Sequence, residues 1–155
     1  MLSLLYVSTA REGLSEAEVA SIADSAAVKN AENEITGLLA YNSHSFMQLL
    51  EGSSSVVHNV MQTISRDERH SNIVYIRQQH RDNRECPDWS MQSLITPLDG
   101  LGSADAFTVS LPGEMGLDTK VLFTSFASTF TAQRVLDHKS VKPVFNPARL
   151  VPDND

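Results

Sequence analysis

A chain of 155 residues, 41% hydrophobic and 20% charged, is long enough to bury its own core and too apolar to be disordered. Its single cysteine, Cys86, excludes an internal disulfide framework or a cysteine-based zinc cluster and fits a reducing cytoplasm. A formal charge of −7 suits nucleic acid poorly, the apolar start has no basic signal segment, and no run approaches the roughly 20 apolar residues of a spanning helix.

Leu2, Leu4 and Tyr6 alternate with Leu5 and Val7, which predicts a strand over 2–8. Ser15 with Glu18 forms a capping box and opens a helix carrying Val19, Ile22, Ala23, Ala26 and Ala27 on one side, with its end expected near Asn30. The alanines leave that side shallow, which suits either a broad flat group or close packing on a sheet. A second strand covers 35–41 with Gly37 inside it, 42–45 is a hairpin loop, and 46–51 returns with Phe46, Gln48 and Leu50 on one face. A second helix starts at 53–55 and shows Val56, Val57, Val60, Met61 and Ile64 at helical spacing. The polar turn 66–71 leads to a fourth strand over 72–78. A short fifth strand is expected over 89–93, after Pro87. Five of the seven cations before residue 95 lie between Arg66 and Arg84, and from charge alone they read as a solvated surface.

This order, β-α-β-β-α-β with one added strand, predicts an α+β, ferredoxin-like antiparallel sheet with both helices on one face. It divides the chain into a domain over 1–95 and a helical cap with an irregular tail over 96–155. Residues 97–116 read as a connector with a short helix near 103–107. Leu122, Phe123, Phe126, Ala127 and Phe130 form an apolar stripe, and its plainest use is to cover the free face of the sheet. Pro143, Pro147 and Pro152 mark the tail.

Tyr6 and Gln48 sit on strand faces otherwise lined by Leu and Phe. A buried hydroxyl or amide without a partner costs about 1–3 kcal/mol, so each needs one, and a mutual structural hydrogen bond is the simplest solution. The five histidines, His44, His58, His70, His80 and His138, lack metal-ligand spacing, so no metal is expected. No Ser-His-Asp, Walker or Gly-x-Gly-x-x-Gly pattern is present, and nothing activates a nucleophile, so an enzyme is not expected. The fold alone does not decide function. RNA-recognition modules share this order but stack bases on sheet aromatics that these strands lack. A light-independent small-ligand or protein-interaction module stays open on these grounds.

Four separated segments carry a resemblance: NAENEITGLL over 30–39, FMQLLEG over 46–52, RDERHSN over 66–72, and Trp89-Ser90-Met91. In this order, behind a first strand containing Leu4-Leu5-Tyr6, they resemble the BLUF family, sensors of blue light using FAD. The resemblance implies a short stand-alone photoreceptor with FAD held between the two helices, above the sheet. It implies that Tyr6 is the photoactive tyrosine, that Gln48 bridges it to the flavin, and that Asn30 meets the polar edge of the ring; Lys29 beside it, also expected at the cofactor, is a departure, since some members carry another residue there. Asp67, Arg69 and His70, with Arg66, match the turn facing the ribityl and dimethylbenzene side, and Trp89 and Met91 match a mobile strand near the glutamine. It further implies that light excites the flavin, that Tyr6 donates an electron and a proton, and that Gln48 settles into a new hydrogen-bond arrangement. A glutamine suits this because its amide has a donor end and an acceptor end. The output is then expected to reach a downstream signalling protein through the 89–93 strand and the C-terminal helix. A second copy of the chain is a further candidate partner, and neither nucleic acid nor membrane is.

Overall fold

The computed structural model describes residues 1–90, the backbone of 92–95, and residues 108–127. Its elements are β1 (Leu2–Ala10), α1 (Glu16–Glu32), β2 (Thr36–Tyr41), β3 (Ser45–Gly52), α2 (Ser54–Ser65), β4 (His70–His80) and β5 (Gln92–Ile95). The sheet order is β4-β1-β3-β2-β5. The first four strands pair antiparallel, as the ferredoxin-like order requires, and β5 joins β2 in parallel.

The capping box forms: the Ser15 hydroxyl accepts from the Glu18 N–H at 3.2 Å, and the Glu18 carboxylate accepts from the Ser15 N–H at 2.8 Å. α1 does not end at Asn30. It continues to Glu32 and is capped at Asn33, because Glu34 at φ 54° is the residue that takes the left-handed turn. Asn30 thus stays in the last helical turn, where it is buried. In the β2–β3 hairpin, the Asn42 side-chain oxygen accepts from the backbone N–H groups of His44 and Ser45 at 3.1 and 2.8 Å, an Asx turn.

Strand alternation divides the core in two. Leu2, Leu4 and Tyr6 of β1 share one face with Leu39, Tyr41, Phe46 and Leu50, and both helices pack there through Val19, Ala23, Val57 and Met61. The other face carries Leu5, Leu38, Ala40, Met47 and Leu49. Residues 117–127 are helical and cover it with Phe123 and Ala127 at the centre. The apolar stripe therefore lies on the free face of the sheet as expected; Phe130 and the helix expected near 103–107 lie outside the described residues.

The fifth strand is displaced. Cys86 to Trp89 is a turn in which the Trp89 N–H meets the Cys86 carbonyl at 3.3 Å, with Pro87 in the second position that favours it. β5 pairs with β2 from Gln92, opposite Leu38. The cations between residues 66 and 84 are also not simply solvated. Arg77 pairs with buried Glu85 at 2.7 Å, and Arg84 hydrogen-bonds Thr36 and the carbonyls of Glu51 and Glu34.

Candidate functional site

A cavity of about 420 Å³ opens between α1 and α2 above the sheet, within the usual range of about 300–1,000 Å³ for small-molecule sites. Its walls are Ile22 and Ala26 of α1 and Val56, Val60 and Ile64 of α2; its floor is Tyr6, Leu39, Phe46 and Gln48. Val57 and Met61 anchor α2 in the core, so the flanking residues of its apolar stripe are left to face the cavity. The small Ala26 side chain leaves a slot that is apolar on both sides and polar at its ends.

Tyr6 and Gln48 are directly opposed in the β1–β3 register and point to the same face. The Tyr6 hydroxyl donates to Gln48 Oε1. Both residues are buried, and both line the cavity. Burial pushes the Tyr6 phenol pKa up, and the nearby negative charge of Asp67 adds to this, so the hydroxyl keeps its proton and acts as a donor.

His70 braces this floor. Its Nε2 lies 2.6 Å from the Ile64 carbonyl, which can only accept, so Nε2 carries the hydrogen. In the neutral ring Nδ1 then accepts from the Ser8 hydroxyl at 2.8 Å. The ring meets Phe46 edge-on, with centroids 6.3 Å apart. At the rim, Asp67 accepts from the Arg69 guanidinium. That bond is the main reason its carboxyl pKa falls to about 2.

Asn30 is the informative exception. Its carbonyl closes α1 by accepting from the N–H groups of Asn33 and Ile35 at 3.1 and 2.9 Å. Its side-chain Nδ2, buried at the cavity wall, has no hydrogen-bond partner. A buried orphan donor costs about 1–3 kcal/mol, and a ligand carbonyl would satisfy it. A flat heteroaromatic ring with carbonyl groups on one edge fits the donor, the apolar slot and the Tyr6–Gln48 floor together.

Lys29, Asp67, Arg69 and His70 also line the cavity. Arg66 does not; it caps the end of α2. Trp89 lies away from the cavity, packed beside Cys86 in the cluster under the C-terminal segment. Met91 lies outside the described residues. Sequence reasoning missed Ser25, Asn33, Asn59 and Thr63, which also line the cavity. The last two are four apart on α2, beside Val60 and Ile64, so helical spacing could have found them. Among the described residues, no group of three or more His, Cys, Asp or Glu could hold a metal, and no helix is long and apolar enough to cross a membrane.

Residues 1–92 match the family described as sensors of blue-light using FAD, and the chain belongs to this BLUF family. This part of the chain is thus a blue-light sensor domain of a family that binds flavin. It is 31% identical over 94 residues to the photoactivated adenylate cyclase subunit beta of Euglena longa, which covers 60% of this chain and 11% of that one. The blue light- and temperature-regulated antirepressor BluF of Escherichia coli (strain K12) is 32% identical over 74 residues, 48% of this chain and 18% of its own. The chain thus spans a small part of these curated relatives. The dark-state structure of BlrB, a BLUF protein, superposes with a TM-score of 0.61 at 26% identity, over 88% of this chain and 96% of that one.

Proposed function

We propose that the cavity holds FAD and that Tyr6 and Gln48 are its photoactive pair. The bound flavin supplies the absorption of blue light. The observation that carries the reading is the Tyr6–Gln48 hydrogen bond facing a slot whose wall holds the unpartnered Asn30 amide. Asn30 donates to the ring's polar edge, with Lys29 beside it. Asp67, Arg69 and His70 shape the opposite rim. As it stands, Gln48 accepts from the phenol; a turned amide would present its NH₂ instead, and the phenol would then have to accept. That exchange gives the floor two hydrogen-bond states.

The protein acts as a sensor without catalytic activity, working in the cytoplasm and relaying its state to a protein partner. The relatives are named as cyclases and an antirepressor, and the hydrogen-bond exchange proposed for Tyr6 and Gln48 asks no catalytic step of this domain. The test is colour. The purified protein should be yellow, release FAD on denaturation, and shift its flavin band reversibly to the red under blue light. A colourless protein that refuses added flavin would leave a light-independent ligand or interaction module as the better reading.

A further inference from the structure

The cavity and the C-terminal segment lie on opposite faces of one sheet. Among the described residues, no side chain lines the cavity and also belongs to the cluster under residues 108–127. A change in the pocket must therefore cross the sheet, and the loop residues 81–90 grip both sides of the path. On the sheet side, Arg84 donates to the Thr36 hydroxyl and the Glu51 carbonyl at 2.9 and 2.8 Å. Glu51 stands three residues after Gln48 on β3, fully buried. Its carboxylate accepts from the backbone N–H groups of Glu85, at 2.8 and 3.0 Å, and Cys86, at 3.0 Å. The Trp89 carbonyl accepts from the Gly37 N–H at 2.8 Å.

On the cap side, the Glu85 carboxylate accepts from the Gly116 N–H at 3.0 Å and the Thr119 hydroxyl at 2.7 Å. Its other oxygen meets Arg77 at 2.7 Å, and Arg77 reaches on to Thr119 and Asp118 at 2.8 and 2.9 Å. Glu85 and Thr119 are both fully buried. A carboxylate that holds two successive N–H groups fixes the peptide between them, and so fixes the aim of the Glu85 side chain. Short charge-assisted bonds depend steeply on distance and angle. A displacement of β3 would therefore be passed on to the aim of the Glu85 side chain.

We propose that Glu85 is the latch through which the flavin-bearing sheet holds the C-terminal segment, and that light is read out as release of residues 116–119 from it. This rests on the photoreceptor reading above, and the red shift tests that reading separately. Hydrogen exchange of residues 117–127 is followed in the dark and under continuous blue light, in the full-length flavin-loaded protein and in Glu85→Gln. Wild type should exchange faster in light. Glu85→Gln should keep the normal red shift, exchange about 10- to 100-fold faster in the dark, and gain nothing further in light. If Glu85→Gln does not fold, Thr119→Val, which removes one arm of the latch at nearly constant volume, should show the same pattern more weakly. An undiminished light–dark difference in the variant that folds, or none in wild type beside a normal red shift, would overturn the latch. Loss of the red shift in wild type would instead defeat the photoreceptor reading.

Discussion

Tyr6 loses water on burial and recovers one hydrogen bond, to Gln48. Tyr6→Phe keeps the ring volume and removes the hydroxyl, so flavin should stay bound while the normal reversible red shift disappears from the light-minus-dark spectrum. Gln48→Leu is near-isosteric and cannot exchange donor for acceptor. It should also bind flavin and lose the shift; a wild-type difference spectrum would reduce Gln48 to a core residue. Asp67 makes a pH prediction. Its pKa is depressed from 3.8 to about 2, chiefly by Arg69, so its contribution to stability is complete above the unfolded value and is lost as pH falls through the folded one. The Arg69 side chain is 42% exposed, which screens the pair to at most about 1 kcal/mol. Asp67→Asn should therefore lower the flavin-loaded Tm at neutral pH by about 1–4 °C. The gap to wild type should narrow from pH 4 towards pH 2; a gap that does not change with pH would mean that the ion pair is not its source.

At the scale of elements, α1 depends on its first turn, because its alanine-rich face buries little. Ser15→Ala removes the acceptor for the Glu18 N–H and leaves an orphan donor at the helix start. The expected loss is about 1 kcal/mol, read as a lower denaturant midpoint at unchanged slope. A midpoint equal to wild type would show that tertiary packing alone holds α1. The same locality explains what could be read from the residues. Capping, alternation and helical spacing act over two to four positions, so β1, α1, the hairpin and α2 were legible. So was the shared face of Tyr6 and Gln48, since both follow from strand parity. Trp89 was not, because it follows a proline turn, where no period sets which face a side chain takes. The Arg77, Arg84, Glu51 and Glu85 contacts were also hidden. Apart from Arg77 with Glu85, eight positions apart, they join residues 31 to 50 positions apart, and partner choice over such spans is decided by the assembled sheet. Arginines that looked like surface charge became internal ties.

The whole molecule is a sheet with two differently used faces. The helix face leaves a slot open between α1 and α2, while the other face is closed by residues of the C-terminal segment. Without that cover, Leu5, Leu38, Ala40, Met47 and Leu49 would form an apolar patch of the kind that promotes association. Phe123 sits at the centre of the cover and is fully buried. Phe123→Ala removes its packing and leaves a cavity against the sheet, with an expected cost of about 3–5 kcal/mol if the segment unfolds with the rest. If the segment instead opens independently, global stability changes less, the cost appears as local opening, and the exposed face gains affinity for a hydrophobic dye. The two cases are separated by following flavin absorbance and backbone ellipticity through one denaturant titration. We expect coincident transitions shifted to lower denaturant, because Glu85 and Arg77 tie the segment to the sheet beside its packed aromatic. Flavin should remain bound before the transition, since the slot lies on the opposite face from Phe123. Transitions that separate, with unchanged flavin release, would show that the segment is a detachable lid on the sheet and not a cooperative part of the fold.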